Sequence, residues 1–473
     1  MMIARFPAMR LSDALFKLVL MALAFAAASL LLRDAFAISA HVPLDPNEGW
    51  NAYLDRAAIS GGPLYPQGLM INNYPPLSFY IVGTLSTITG DPIVAGRLVS
   101  LIAFFALAGG IVVCLREMGA DVLASLFGCL FFAAGLLIAS DYVAMNDPQL
   151  LGHALQLAGL SLLLQSRRNV FATALLMTAG LFVKHNLLAL PLATLAWLWW
   201  HDRSDGARFS IAMLIFCFAG LAVTRFFLDA NLLTALDSPR RWALANFLNG
   251  TKHFSSWAGV AVIATALIVW RRPRDEAVSL VALYAGAALL LGGIFSFGDG
   301  VDANIFFDAA IALGLSAGLV LLHLPARWTG IAALLLAAPL ALCLSRTYSR
   351  ANFPYTEVFA REVPRDIEFL RLHPGPAICE NLTLCYWAGK DDPVDVFNLS
   401  EAFKTHSRSD ADLIRMIDSR HFGSVVVASM NDFAFGPKVK AALLAHYRVS
   451  RDDDNGIFLE PRPAELKDAP AAP

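Results

Sequence analysis

The sequence predicts a polytopic α-helical membrane protein with about eleven transmembrane helices and a small α/β domain at its C-terminal end. Three observations predict it. The 473 residues are 57% hydrophobic and only 16% charged, against roughly 25% charge and 45–50% apolar residues in soluble domains. Apolar runs of span length recur from residue 14 to residue 345. Beyond residue 346 charge, turn residues and short alternating elements return. The formal net charge of -2 offers nothing to nucleic acid.

The first run carries Arg5, Arg10 and Lys17 on its flank and ends near "AFA" at 35–37. It is longer than the 7–15-residue core of a cleaved signal, so it reads as a signal-anchor retained as the first span. Crossing the hydrocarbon core takes about 20 apolar residues. Spans are expected near 14–37, 92–115, 121–142, 148–164, 169–183, 186–200, 209–228, 255–270, 277–297, 304–323 and 328–345. The pair at 169–183 and 186–200 is short, and reads as two tilted spans or one re-entrant hairpin. Residues 77–90, "LSFYIVGTLSTITG", are too short to span and read as an interfacial helix.

Alternate connections sort by charge. One side collects the N-terminal basics, Arg116, Arg167, Arg168, Arg203, Arg208, Arg271, Arg272, Arg274 and Arg327. The other holds "DPNEGW", "AMNDP", "FGDGVDAN" and a long loop at 229–254. The positive-inside rule makes the first side cytoplasmic. An odd number of spans then sends the C-terminal region, 346–473, outside. There "PAICEN", "SVVVAS" and "GIFLEP" read as strands, and "DADLIRMIDSRHF" as a helix. Cys379 and Cys385 form a local disulfide or remain two buried thiols; the sequence leaves both open. The other four cysteines lie in apolar runs and read as small hydrophobes. The tail "PAELKDAPAAP" reads as disordered.

The chemistry gathers on the outer side. The first outer loop, 39–91, packs Asp45, Glu48, Asp55 and Arg56 among Trp50, Tyr53 and Tyr65. On a helix, Glu48, Trp50 and Tyr53 lie within one or two turns, a carboxylate beside aromatic walls at headgroup height. Asp147 in "AMNDPQLL" is a second outer acid, with Asp141 about two turns earlier. A helix cap is its structural alternative, since Pro148 follows. Asp121, Asp275 and Glu276 lie among cytoplasmic basics and read as solvated loop acids. Lys184 in "GLFVKHNLLALP", with His185 beside it, interrupts apolar segments at a cost of at least ~2.5 kcal/mol at depth. It reads either as a snorkelling side chain or as a cation for phosphate. Arg225, Arg240 and Arg241 carry the same two readings. Carboxylates to deprotonate an acceptor and cations to neutralise a phosphate leaving group suit group transfer from a lipid-linked phosphate. A transporter would place polar residues near the bilayer midplane, where these spans carry almost no charge.

The order of "NEGW", "GGPLYP", "NNYPPLSFYIVG", "DPIVAGRLVSLIAF", "MNDPQLL" and "GLFVKHNLLALP" resembles the GT-C superfamily of integral-membrane glycosyltransferases. The nearest resemblance is to the polyprenyl-phosphate-sugar-dependent family of protein O-mannosyltransferases and the lipid A aminoarabinose transferase. It covers roughly residues 14–345. The resemblance implies an inverting transfer from a polyprenyl-phosphate sugar donor to a lipid, glycan or protein acceptor, at the periplasmic face of a bacterial inner membrane. It implies an acidic pair in the first outer loop with an Asp as base. Here that position is Asn47, an amide, so the base role passes to Glu48 or Asp45. Asp147 matches the second acid, Lys184 the cation near the donor phosphate, and Tyr74 with Pro75 and Pro76 the start of the interfacial helix. His185, Arg240, Arg241, Asn47, Trp50 and Tyr53 are the expected substrate-binding companions. The resemblance leaves room for a divalent metal ion, although the sequence holds no His-rich ligand set. The C-terminal region resembles the outer domains some relatives carry. A flippase or a non-catalytic lipid-sugar-binding homologue are the rival readings, the latter favoured by Asn47.

Overall fold

The computed structural model describes residues 11–139, 141–236, 239–350 and 353–463. Arg5, Arg10 and the tail from residue 464 lie outside the described residues.

Each expected span is a helix. They are α1 (Leu11–Ala37), α4 (Pro92–Glu117), α5 (Val122–Leu136), α7 (Gln149–Gln165), α8 (Val170–Val183), α9 (Ala189–His201), α10 (Arg203–Val223), α12 (Leu244–Arg271), α13 (Glu276–Phe295), α14 (Phe307–Leu322) and α15 (Ala326–Arg350). Eight of these helical segments are long and apolar enough to cross a membrane; α7, α8 and α9 have 17, 14 and 13 residues. The chain is a multi-pass helical membrane protein.

Local chemistry sets the helix ends. Asp91 caps α4 by accepting from the Ile93 N–H at 2.8 Å, with Pro92 at the first helical position. Asp121 caps α5 and Asp275 caps α13 in the same way. Two of the acids assigned to solvated loops, Asp121 and Asp275, are therefore helix caps at the basic end, while Glu276 is exposed in the first turn of α13. The loop expected at 229–254 holds α11 (Leu232–Leu236) and the first turns of α12. "LANFLNGTKHF" lowers hydropathy without breaking the helix.

Between α1 and α4 lie α2 (Asn47–Ser60) and α3 (Leu77–Thr89), the latter a helix over the residues expected to form one at the interface. The short α6 (Asp141–Ala144) precedes α7. Lys184, between α8 and α9, meets the first residue of α7. The short pair α8–α9 thus runs the height of α7, a reach of about 21 Å for 14 residues. α8 and α9 are two separate short helices running along the bundle. The α1 C-terminus, the α4, α7 and α14 N-termini and the α8–α9 turn share one end of the bundle, with α2 above them. Among the described residues, the arginines of the basic set lie at or beside the connections at the opposite end.

A linking helix α16 (Phe353–Leu372) leads to the C-terminal domain. Its sheet has the order β1-β2-β4-β3, with β1 (Ala377–Cys379), β2 (Ser424–Val427), β3 (Tyr447–Asp453) and β4 (Gly456–Pro461). β1 and β2 are parallel; β4 is antiparallel to both β2 and β3. Helices α17 (Leu382–Trp387), α18 (Val396–Lys404), α19 (Ala411–Asp418) and α20 (Pro437–His446) complete it. The expected strands are β1, β2 and β4. β3, "YRVSRDD", gave no apolar signal because it is an edge strand, mostly exposed and charged. Cys379 and Cys385 are joined as a disulfide.

Candidate active site

Glu48 and Arg97 organise the site. Glu48 lies in the first turn of α2 and Arg97 in the second turn of α4, and both are fully buried. Arg97 donates from Nε to Glu48 Oε1 and from Nη2 to Oε2, each at 2.7 Å. Its Nη1 donates to the Ala37 and Ala40 carbonyls and its Nη2 also to Val42. The Leu44 and Asn146 N–H groups donate to the remaining faces of Glu48 at 2.9 and 3.1 Å. A guanidinium in an apolar helix demands such a bidentate partner. Every lone pair of Glu48 is taken and none faces solvent. This geometry is a correction to the expectation of Glu48 as base: it is a brace holding the α1–α2 loop onto α4.

Asn146 is the hub beside that brace. Its side-chain N–H donates to Asp55 at 2.9 Å, and Asn51 donates to its carbonyl at 2.8 Å. The approach depends on Gly96, where a Cβ would come within 1.9 Å of Asn146 Oδ1. The next residue is Asp147, 5% exposed, which accepts from the Gln149 N–H at 2.8 Å just ahead of α7, whose N-cap is Pro148. Lys184, 4% exposed, donates to Gln149 Oε1 at 2.7 Å and lies 4.9 Å over the Tyr74 ring. Gln149 Nε2 donates to the Asn304 carbonyl at 2.6 Å, which fixes the amide with its oxygen toward Lys184. His153, one turn on, sits 3.3 Å from that amide and 3.6 Å from Asp308, which accepts from Tyr284. Glu48, Asp147 and Lys184 thus belong to one continuous polar assembly.

Asp45 overhangs it. Its Oδ1 accepts from the Asn47 N–H at 2.8 Å, and it is half-buried. Burial pushes its carboxyl up to about 6, the carboxylates of Asp147, Glu48 and Asp302 adding to the rise and the Asn47 N–H opposing it. Asp302 accepts from the Tyr142 hydroxyl at 3.1 Å. Asn47 and His185 are exposed at the rim.

Other expected companions turn elsewhere. Trp50 donates from Nε1 to Asp395 at 2.9 Å and to the Ile71 carbonyl at 3.0 Å. Tyr53 donates to the Lys390 carbonyl at 2.7 Å and meets Tyr386 edge-on. Gly49 lies so close to α17 that a Cβ would come within 2.1 Å of the Thr383 nitrogen. These aromatics seat the C-terminal domain on α2, and Trp50 also meets Tyr74 edge-on at 5.1 Å, so it backs the ring over which Lys184 lies. Arg241 pairs with Asp299 at 2.8 Å, and Arg240 donates to the Asp299 carbonyl while lying 5.0 Å over Phe397 of α18. Arg240 still acts electrostatically on Lys184. Sequence reasoning missed Asn146, Gln149 and Asp302 and the pairing of Arg97. Arg97 had a signal, a lone cation near the start of a long apolar run.

The backbone as a whole is similar to that of ArnT from Cupriavidus metallidurans, bound to undecaprenyl phosphate. The TM-score is 0.62 at 13% identity over 93% of this chain and 98% of that one. The apo state of the same protein gives 0.61 at 12% identity, over 92% and 96%. The chain has the fold of that protein. No family model matches it, and no curated protein does. Among the described residues no three His, Cys, Asp or Glu side chains are grouped to hold a metal ion.

Proposed function

We propose that this protein transfers a sugar from a polyprenyl-phosphate donor to a lipid, glycan or protein acceptor, at the membrane face opposite its basic loops. That face is the periplasmic one in a bacterial inner membrane by the positive-inside rule. The carrying observation is the convergence of Asp45, Asp147 and Lys184 at the head of a bundle with this fold. The neighbour's undecaprenyl phosphate supports a lipid-phosphate donor here.

Asp45 is the base in this reading. It has an exposed edge, and its raised pKa suits a group that takes a proton near neutral pH. The acceptor O–H loses its proton to Asp45, and its oxygen bonds to the anomeric carbon from the side opposite the phosphate. The C1–O bond breaks and its electron pair leaves with the polyprenyl phosphate. Lys184 faces that phosphate, held in place by Gln149, with Arg240 adding positive potential. Inversion follows from single displacement. Asp147 orders the start of α7 and tunes both Asp45 and Lys184 through its charge.

The test is turnover in proteoliposomes with a panel of labelled polyprenyl-phosphate sugars and envelope acceptors. Release of polyprenyl phosphate with a glycosylated product is expected. Binding of donor without release across the panel would mark a non-catalytic homologue instead. Repeating the assay after EDTA treatment reads any need for a divalent ion.

A further inference from the structure

A cavity of about 560 Å³ opens beside the acids, between the upper ends of α5, α12, α14 and α15. Asp302 and Tyr142 line it, and Asp302 acts electrostatically on Asp45, so it adjoins the proposed reaction centre. Its lower wall is aromatic: Phe254 stacks on Phe306 at 4.6 Å, Trp257 meets Phe254 edge-on, and Phe307 meets Tyr142 edge-on. Its upper part is polar. Asp141, Asn249 and His253 are exposed, and their side chains make no hydrogen bond to the described protein. Two carboxylates, an amide, an imidazole and the guanidinium of Arg346 offer both acceptors and donors, the mixture that ring hydroxyls satisfy. The carboxylates of Asp141 and Asp302 outnumber the single guanidinium of Arg346 in the lining, a balance that disfavours an anion. Phosphate chemistry belongs to the Lys184 side of the acids.

We propose that this cavity seats a non-anionic glycosyl head group, its hydroxyls on Asp141, Asn249 and His253 and its apolar attachment against the aromatic wall. The head group is that of the acceptor or the sugar of the donor. The role in transfer rests on the reading above; the binding itself does not.

The probe is an alkyl β-glucoside bearing a diazirine in its chain, used on the full chain in nanodiscs, with the alkyl phosphate of equal length as comparator. The glucoside is expected to label peptides spanning 246–257 and 300–310, and the phosphate roughly tenfold less, a 1.4 kcal/mol preference. Gly250 lines the cavity, and a Cβ there meets nothing closer than 3.6 Å. Gly250→Trp is therefore expected to fill the cavity and cut labelling roughly tenfold, while Gly250→Ala keeps it. Asn249→Leu serves as the second variant should Gly250→Trp fail to fold. Equal labelling by glucoside and phosphate, or labelling indifferent to both variants, overturns the proposal. Competition by polyprenyl-phosphate sugar marks the donor's ring as the occupant; undiminished labelling marks the acceptor's. Failed turnover with intact labelling would sink the transferase reading and leave this site standing.

Discussion

Arg97 grips Glu48 through two hydrogen bonds of 2.7 Å, with neither side chain exposed to solvent. The pair closes the α1–α2 loop onto α4, since the same guanidinium holds the carbonyls of Ala37, Ala40 and Val42. Removing one partner leaves a buried charge uncompensated, which costs about 3–5 kcal/mol. Arg97→Leu is expected to lower folded yield and thermal stability in detergent by that order. Glu48→Gln does the same, and the double change Glu48→Gln with Arg97→Met recovers part of the loss. A Glu48→Gln protein of wild-type stability would refute the brace.

Asp45→Asn should separate chemistry from folding. The variant is expected to elute and melt as a folded protein while kcat falls by about 10²–10⁴. In the wild type, kcat/KM should rise about tenfold per pH unit toward pH 6 and then level, because Asp45 must be ionised and its carboxyl sits near 6. The folded carboxyl holds its proton more tightly than an unfolded Asp, at 3.8, does. Ionising it therefore costs stability, a cost absent below about pH 4 and complete above about pH 6. Asp45→Asn is expected to melt higher than wild type at pH 7.5.

Lys184→Met should raise the donor KM by tenfold or more with little change in folded yield, since the ammonium is held by one hydrogen bond to Gln149, the Tyr74 ring and the charge of Asp147. Gln149→Leu should raise it less. Binding of polyprenyl phosphate alone, read by native mass spectrometry, should follow the same order.

The aromatics of α2 should govern domain seating. Trp50→Phe removes the indole N–H that Asp395 accepts, a loss of about 1.5–3 kcal/mol for a bond to a buried carboxylate. Gly49→Val drives a side chain into α17. Both are expected to speed limited proteolysis of the C-terminal domain; unchanged cleavage would show that other contacts hold it.

Cys379 and Cys385 close a short loop beside β1, six residues apart. Replacing both with Ala should destabilise the C-terminal domain by about 2 kcal/mol on the loop-closure scale. Thermal melting with and without reductant reads this.

The sequence by itself determined the helices, their alternation and which ends gather charge. Hydropathy is a local property that adds along the chain, and arginines mark each basic connection whatever the packing. Even the short helix α3 and three of four strands were legible. The edge strand β3 was not, because its charged residues face water and carry no apolar period. Only the tertiary structure decided which acid is available for chemistry. Asp45 and Glu48 are three residues apart and chemically alike; the turn into α2 aims one at Arg97 and leaves the other half-open beside Asp147. Likewise Trp50 and Tyr53 face the C-terminal domain, whose partners Asp395 and Lys390 lie more than 300 residues away. A side chain's role depends on what it meets, and a partner that distant leaves no trace in local pattern.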